Sequence, residues 1–112
     1  MEELEFSYNW NNKLDCNAFT TLRLRNDNKY KVGNDYEVSL KRKGSKDIFD
    51  SKGTCTCIDI KHFTIMQINE FMARLDTGYS REECIKLIQT MYKNKVVNWN
   101  TQQLSLILLL KK

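Results

Sequence analysis

Alternating apolar and polar positions mark the first predicted strand, over residues 19–25. Leu22 and Leu24 fall on one side of this segment, and Thr21 and Arg23 fall on the other. An arginine in a short strand either belongs to a solvated face or binds an anionic group, because its guanidinium makes bidentate contacts to phosphate. Thr21 has two interpretations as well, since threonine is also a good strand residue that pairs across a sheet.

Three further strands follow from the same pattern. Tyr36, Val38 and Leu40 form the inward side of the second strand. The segment 54–60, "TCTCIDI", is β-branched, and its buried side is either the cysteine set or the threonine and isoleucine set. The segment 104–110 is apolar on both sides, as expected of a central or closing strand.

Two capping boxes predict two helices between the third and last strands. Thr64 precedes Gln67 by three residues, and Ser80 precedes Glu83 by three. Apolar residues at helical spacing follow each box, so one helix should end at the "DTG" turn and a longer one at about Lys93. Capping alone is a sufficient explanation of Glu83.

A short helical segment is predicted before the first strand, because Phe6, Trp10 and Leu14 recur every four residues. Trp10 lies in the asparagine-rich context "YNWNN". An exposed aromatic ring beside amides can stack on a base, as in readers of single-stranded RNA. The alternative is that Trp10 packs against the end of a barrel.

Length and composition place the chain among ordinary globular proteins. Its 112 residues, 41% hydrophobic and 29% charged, predict one domain over residues 1–112. No apolar run approaches the roughly 18 residues of a membrane span. The acidic beginning "MEELEFSY" lacks the basic and apolar regions of a signal peptide, so we expect a cytoplasmic protein.

The cysteines do not predict a metal centre. Cys55 and Cys57 form C-x-C, whereas Cys16 and Cys84 are isolated and His62 is the single histidine. Structural zinc sites use two closely spaced pairs of ligands, so we interpret the cysteines as reduced, mostly buried thiols. Nothing in the sequence near His62 suggests a nucleophile elbow. No metal and no cofactor are therefore expected.

Basic residues are concentrated in the segment "KRKGSKDIFDSKG", although the net charge is only +4. This segment connects two predicted strands and contains Lys41, Arg42, Lys43 and Lys46. A basic hairpin tip can contact the phosphates of RNA, because neutralising phosphates releases counterions. A solvated loop kept soluble by its lysines is the other interpretation.

The order of motifs resembles that of the ASCH domain, a small β-barrel family related to the PUA-like RNA-binding folds. The similar segments are "FTTLR", "YKVGNDYEV", "HFTIMQINEF" and "LDTGYSREECIKLIQTMY", followed by the apolar strand, over residues 6–110. The most specific pieces are Thr21 with Arg23, the turn at Val32 and Gly33, and "DTGYS". The resemblance implies an α+β fold, a PUA-like small mixed β-barrel with flanking helices.

Some ASCH proteins are amidohydrolases that deacetylate N4-acetylcytidine with a lysine, a threonine and a glutamate. The resemblance places the threonine at Thr21 and the glutamate at Glu83, counted back from the tyrosine that ends the helix. The position of the lysine, three residues before the threonine, is Ala18. Lys13 is the residue that could supply the missing amine from the preceding helical segment.

The sequence therefore predicts a domain that binds RNA, a nucleoside or a nucleotide, in a pocket lined by the first strand and the helix 80–93. Arg23, with Lys41, Arg42, Lys43 and Lys46, is expected to hold phosphate. The base or sugar is expected to contact the remaining ligand-binding residues, which are Trp10, Lys13, Thr21 and Glu83. The alternative is an amidohydrolase of an acetylated nucleoside that uses Thr21 and Glu83.

Overall fold

The structure is a computed structural model that describes residues 2–41 and 49–112. Five strands and two α-helices follow one another along the chain, with two short 3-10 segments, Trp10–Asp15 and Ile65–Gln67. The strands and helices are β1 (Glu2–Phe6), β2 (Ala18–Leu24), β3 (Asp35–Lys41), β4 (Phe49–Thr64), α1 (Glu70–Thr77), α2 (Arg81–Met91) and β5 (Gln103–Lys111).

The strands form one mixed sheet in the order β1-β3-β4-β5-β2. β1 runs parallel to β3, and the other neighbouring pairs are antiparallel. The last strand lies inside the sheet, because β5 pairs with β4 on one side and with β2 on the other. Its apolar sequence predicted either this central position or a closing one. The α+β prediction is thereby confirmed.

The two edge strands approach each other without pairing. The rings of Phe6 and Phe19 meet edge to face with centroids 6.1 Å apart, and Arg23 Nη2 donates to the carbonyl of Glu5 at 2.9 Å. Within residues 2–41 and 49–112, β1 and β2 share no backbone ladder, so the sheet curves but does not close into a barrel. We call the gap between these edges the seam.

Two groups of buried side chains cover the opposite faces of β2. The first cluster lies inside the curved sheet and contains Leu4, Phe6, Leu14, Phe19, Tyr36, Val38, Cys55, Cys57, Ile107 and Leu109. The second cluster lies between the sheet and the helices and contains Leu22, Ile65, Ile68, Ala73, Cys84, Ile88 and Leu104. β2 is therefore covered on both sides, and neither of its faces is the solvated face that its arginine could also have indicated.

The buried side of β4 is the cysteine set, since Cys55 and Cys57 are both inaccessible to solvent. The ladder to β5 shifts register between Cys57 and Asp59, which leaves Ile58 exposed. Such a bulge moves the following residues to the other face, because side chains alternate in a strand. Ile60 consequently packs against the first cluster as well.

Two local predictions were only partly right, although the Thr64–Gln67 capping box does form. Phe6 belongs to β1 rather than to a helical segment, and only Trp10–Asp15 forms a helical turn. The helix predicted from the Thr64 box stops after Gln67, and α1 starts afresh where Asn69 accepts a hydrogen bond from Met72 N at 2.8 Å. An asparagine side chain competes well for the first amides of a helix, so Asn69 resets the start.

Candidate ligand-binding pocket

A cavity of about 200 Å³ lies at the seam. Its walls come from the end of β1, the Trp10–Asp15 segment, β2, the end of α1 and the C-terminal half of α2. Leu87, Ile88 and Met91 form an apolar wall on α2, with Tyr92 beside them. A small concave site with an apolar wall and a few polar groups is the usual form of a ligand pocket.

A buried ion pair lies at the pocket. Lys13 Nζ is 3.1 Å from Asp76 Oδ1, and these residues are only 5% and 3% exposed. The hydroxyl of Thr20 donates to the same carboxylate oxygen at 2.8 Å. The charges are therefore compensated, as burial requires.

The local backbone explains how Lys13 reaches this position. Asn11 and Asn12 adopt left-handed conformations, with φ of 56° and 51°, which asparagine tolerates better than most residues. The Asn11 amide also lies 3.4 Å from the carbonyl oxygens of Arg74 and Leu75, near the end of α1. The Trp10–Asp15 segment is thus attached to the helix end that carries Asp76.

Arg23 is held in place by contacts on three sides. Its Nε donates to Thr21 Oγ1 at 3.1 Å, its Nη2 donates to the Glu5 carbonyl, and its guanidinium lies 4.8 Å from the centre of the Phe6 ring. These contacts fix the side chain across the seam. No carboxylate neutralises Arg23 in the described part of the chain, so its charge remains available to an anion.

Burial changes the acid–base properties of two pocket residues. The pKa of Lys13 is lowered by desolvation, which the nearby Asp76 carboxylate opposes without cancelling. The pKa of Tyr92 is raised, also chiefly by burial. Perturbed groups in a cleft are a common property of binding and catalytic sites.

The structure brings together five of the residues that the sequence singled out. Trp10, Lys13, Thr21, Arg23 and Lys41 all line the cavity, with Lys41 at its exposed rim. The other predicted phosphate ligands, which lie outside the described residues, are Arg42, Lys43 and Lys46.

Glu83, predicted to contact the ligand, is exposed and is not among the residues that line the cavity. Ser80 Oγ donates to Glu83 Oε1 at 3.0 Å, and Glu83 N donates back to Ser80 Oγ at 3.2 Å. These contacts make it a capping residue of α2, because a carboxylate in the first turn satisfies and complements the helix N-terminus.

Asp76 is a pocket carboxylate that the sequence does not predict, because "DTG" by itself is typical of a turn. Gly78 ends α1 in a left-handed conformation with φ of 82°, and its N–H donates to the carbonyl of Arg74 at 2.9 Å. An acidic residue in the last turn opposes the helix dipole. That local conflict is the signal by which Asp76 could have been found.

His62 has a neighbour that the sequence did not reveal. Its Nδ1 lies 2.9 Å from Ser105 Oγ on the adjacent strand. Ser105 is only 1% exposed and does not line the pocket, so a substrate has no access to its hydroxyl. In residues 2–41 and 49–112, no three histidine, cysteine, aspartate or glutamate side chains are grouped to hold a metal ion.

No protein-family model, curated protein or solved structure matches the chain. Among the described helices, none has the length and apolar character needed to cross a membrane.

Proposed function

We propose that this chain is an ASCH-type, PUA-like domain whose pocket binds a nucleoside, a nucleotide or a segment of RNA. The observation that carries the proposal is the composition of one cavity, in which Arg23 and Lys41 lie beside the aromatic residues Trp10 and Tyr92. Nucleotides offer the complementary groups, a phosphate for the cations and a flat ring for the aromatic side chains.

The geometry of Arg23 supports this function. The side chain is already ordered by Thr21, Glu5 and Phe6, so little conformational entropy is lost when a ligand binds. The next arginine along the chain, Arg25, behaves differently. Arg25 is paired with Asp27 at 2.8 Å and does not line the cavity.

Arg25, directly after β2, therefore provides a matched control for Arg23. Calorimetric titration with the four nucleoside 5′-monophosphates and a short single-stranded RNA should detect binding. We expect Arg23→Gln to weaken binding about tenfold or more, the equivalent of losing roughly 1.4 kcal/mol, and Arg25→Gln to change it little. Circular dichroism would check that both variants fold.

Absence of binding by all of these probes, or equal effects of the two substitutions, would contradict the proposal. For the RNA, the logarithm of the affinity should also fall with the logarithm of the salt concentration, by about 0.7 for each phosphate contact. Arg23→Gln should make this slope shallower.

A second candidate function, amide hydrolysis of an acetylated nucleoside, is favoured by the Lys13–Asp76 pair. Lys13 supplies an amine that Ala18 does not, and Asp76 supplies a carboxylate in place of Glu83. Thr21 adds a hydroxyl to the same pocket. A buried amine with a lowered pKa is a better proton acceptor near neutral pH than an ordinary lysine.

Incubation with N4-acetylcytidine tests this second function directly. Release of cytidine that disappears in Asp76→Asn and persists in Glu83→Gln would support it. No release by the folded wild-type protein would reject it and leave ligand binding unaffected.

A further inference from the structure

The buried ion pair has hydrogen-bonding capacity that the protein does not use. Asp76 Oδ1 accepts from both Lys13 and Thr20, whereas Asp76 Oδ2 accepts from no group in the described residues. Lys13 Nζ has three N–H donors and makes one hydrogen bond, to Asp76.

The unused oxygen of Asp76 is open to the cavity, and Lys13 lines the same cavity. Among the described residues, no fully buried side-chain nitrogen or oxygen lacks a hydrogen-bond partner. Asp76 Oδ2 has no such partner in these residues, so this oxygen is accessible to solvent. Asp76 and Lys13 line the cavity, and a ligand in the cavity can therefore contact Oδ2. An unused acceptor and the amine of Lys13 thus lie next to each other at the most buried polar residues of the pocket.

The pair is unsuited to phosphate. The Asp76 carboxylate repels an anion and already compensates the charge of Lys13, whereas Arg23 and Lys41 carry no carboxylate partner in the described residues. A nucleotide therefore fits in one orientation, with the phosphate at Arg23 and Lys41 and the base against Asp76 and Lys13.

The cavity size agrees with this orientation. Its volume of about 200 Å³ is below the roughly 300–1,000 Å³ of pockets that enclose a drug-sized ligand. The cavity consequently accommodates a single base better than a whole nucleotide, and the sugar and phosphate remain towards the rim.

We infer that Asp76 and Lys13 read the Watson–Crick edge of one unpaired nucleobase. Asp76 Oδ2 accepts a hydrogen bond from a ring or exocyclic N–H, and Lys13 Nζ donates to the acceptor next to it. Each of the four bases has an N–H donor beside an acceptor on this edge, and proteins that read single-stranded RNA commonly bind it. This inference rests on the proposed nucleotide-binding function.

A consequence is that base-paired RNA is excluded. In a duplex the Watson–Crick edge is occupied by the partner strand, so the pocket requires a free nucleoside, a strand end or an unpaired loop.

The test changes the ligand rather than the protein, so it does not depend on the folding of a variant. The monophosphate that binds tightest is compared by calorimetry with two methylated forms of the same nucleotide. One carries the methyl group on the Watson–Crick edge and the other carries it elsewhere on the base, such as 3-methyluridine and 5-methyluridine monophosphate. We expect the first methyl group to weaken binding about tenfold or more and the second to change it less than threefold.

Equal affinities of the two methylated ligands would overturn the inference and leave the proposed function standing. If neither the four unmodified monophosphates nor the single-stranded RNA bound, the proposed function would fail, and this inference with it. A single-stranded RNA should likewise bind at least tenfold more tightly than the same RNA annealed to its complement. Equal binding of the duplex would also overturn the inference.

Substitutions provide a second, independent measurement. Asp76→Asn keeps the size of the side chain but replaces one carboxylate oxygen by an amide donor, and we expect it to reduce base binding about tenfold. Glu83→Gln makes the same chemical change outside the pocket and should leave the affinity unchanged.

Discussion

At the scale of single residues, two carboxylates of this protein differ through their surroundings. Glu83 lies exposed in the first turn of α2, where the helix dipole favours a negative charge. Asp76 lies buried in the last turn of α1, where the dipole opposes it, and it depends on Lys13 and Thr20. Helix capping explains the position of Glu83, whereas the buried charge of Asp76 must be compensated by a partner or a ligand.

These surroundings predict different costs of removal. Glu83→Gln should lower the free energy of unfolding by at most about 1 kcal/mol, because only a surface cap is weakened. Asp76→Ala should lower it by about 3 kcal/mol or more, because the buried Lys13 loses its partner. Urea denaturation of both variants measures the two values, and similar losses would contradict this account.

At the scale of elements, three side chains connect β3, β4 and the end of β5 at one end of the sheet. Asp35 at the start of β3 accepts from Thr56 on β4 at 2.7 Å and from Lys112, just after β5, at 2.6 Å. The pKa of Asp35 is lowered, first by the hydrogen bond from Lys112 and then by that from Thr56. The charged form of Asp35 therefore stabilises the folded state.

The sign of the pH dependence follows from that lowered pKa. The contribution of Asp35 is fully present above its ordinary pKa of 3.8 and is lost as the pH falls through the lower value of the folded state. We expect Asp35→Asn to destabilise the protein at pH 7 and to converge with wild type at low pH. Unfolding measured between pH 7 and 2 tests this, with Glu37→Gln on the same strand as control. A difference from wild type that stays constant with pH would contradict it.

The sequence predicted an element correctly where its local hydrophobic pattern agreed with the long-range contacts of the fold. The central position of β5 was predictable because both of its sides are apolar. β1 was missed because its pairing with β3 is long-range, while Phe6, Trp10 and Leu14 match a helical period by coincidence. Thr21 and Arg23 were predictable from the strand motif, and Lys13 from its place in the helical segment before that strand. The place of Asp76 in the pocket was not predictable, because this residue joins the pocket only through the long-range contact of α1 with the Trp10–Asp15 segment.

At the scale of the whole molecule, β2 and β5 connect the two buried clusters. Phe19 and Leu109 belong to the first cluster, and Leu22 and Leu104 belong to the second. Because the same two strands support both clusters, neither cluster can lose its packing without disturbing the other. We expect the two clusters to unfold together, in one cooperative transition.

The two tryptophans allow this to be measured, since Trp10 packs against the first cluster and Trp99 against the second. Trp10→Phe and Trp99→Phe each leave one fluorescent probe. In urea, each variant should give a fluorescence transition that coincides with its own transition measured by circular dichroism. A transition at Trp99 that precedes the loss of sheet signal would show that the helical cluster unfolds separately.

The central place of β5 also has a consequence for synthesis of the protein on the ribosome. β2 is synthesised well before β5, its ladder partner. Phe19 and Thr21 therefore cannot pair with Leu109 and Ile107 until β5 has been made. Until those residues leave the exit tunnel, β2 and one edge of β4 present unpaired backbone groups to other nascent chains. A nascent chain is therefore most exposed to aggregation between the emergence of β4 and that of residues 103–111, and a chain that stopped before residue 103 would lack the strand that joins β2 to the rest of the sheet.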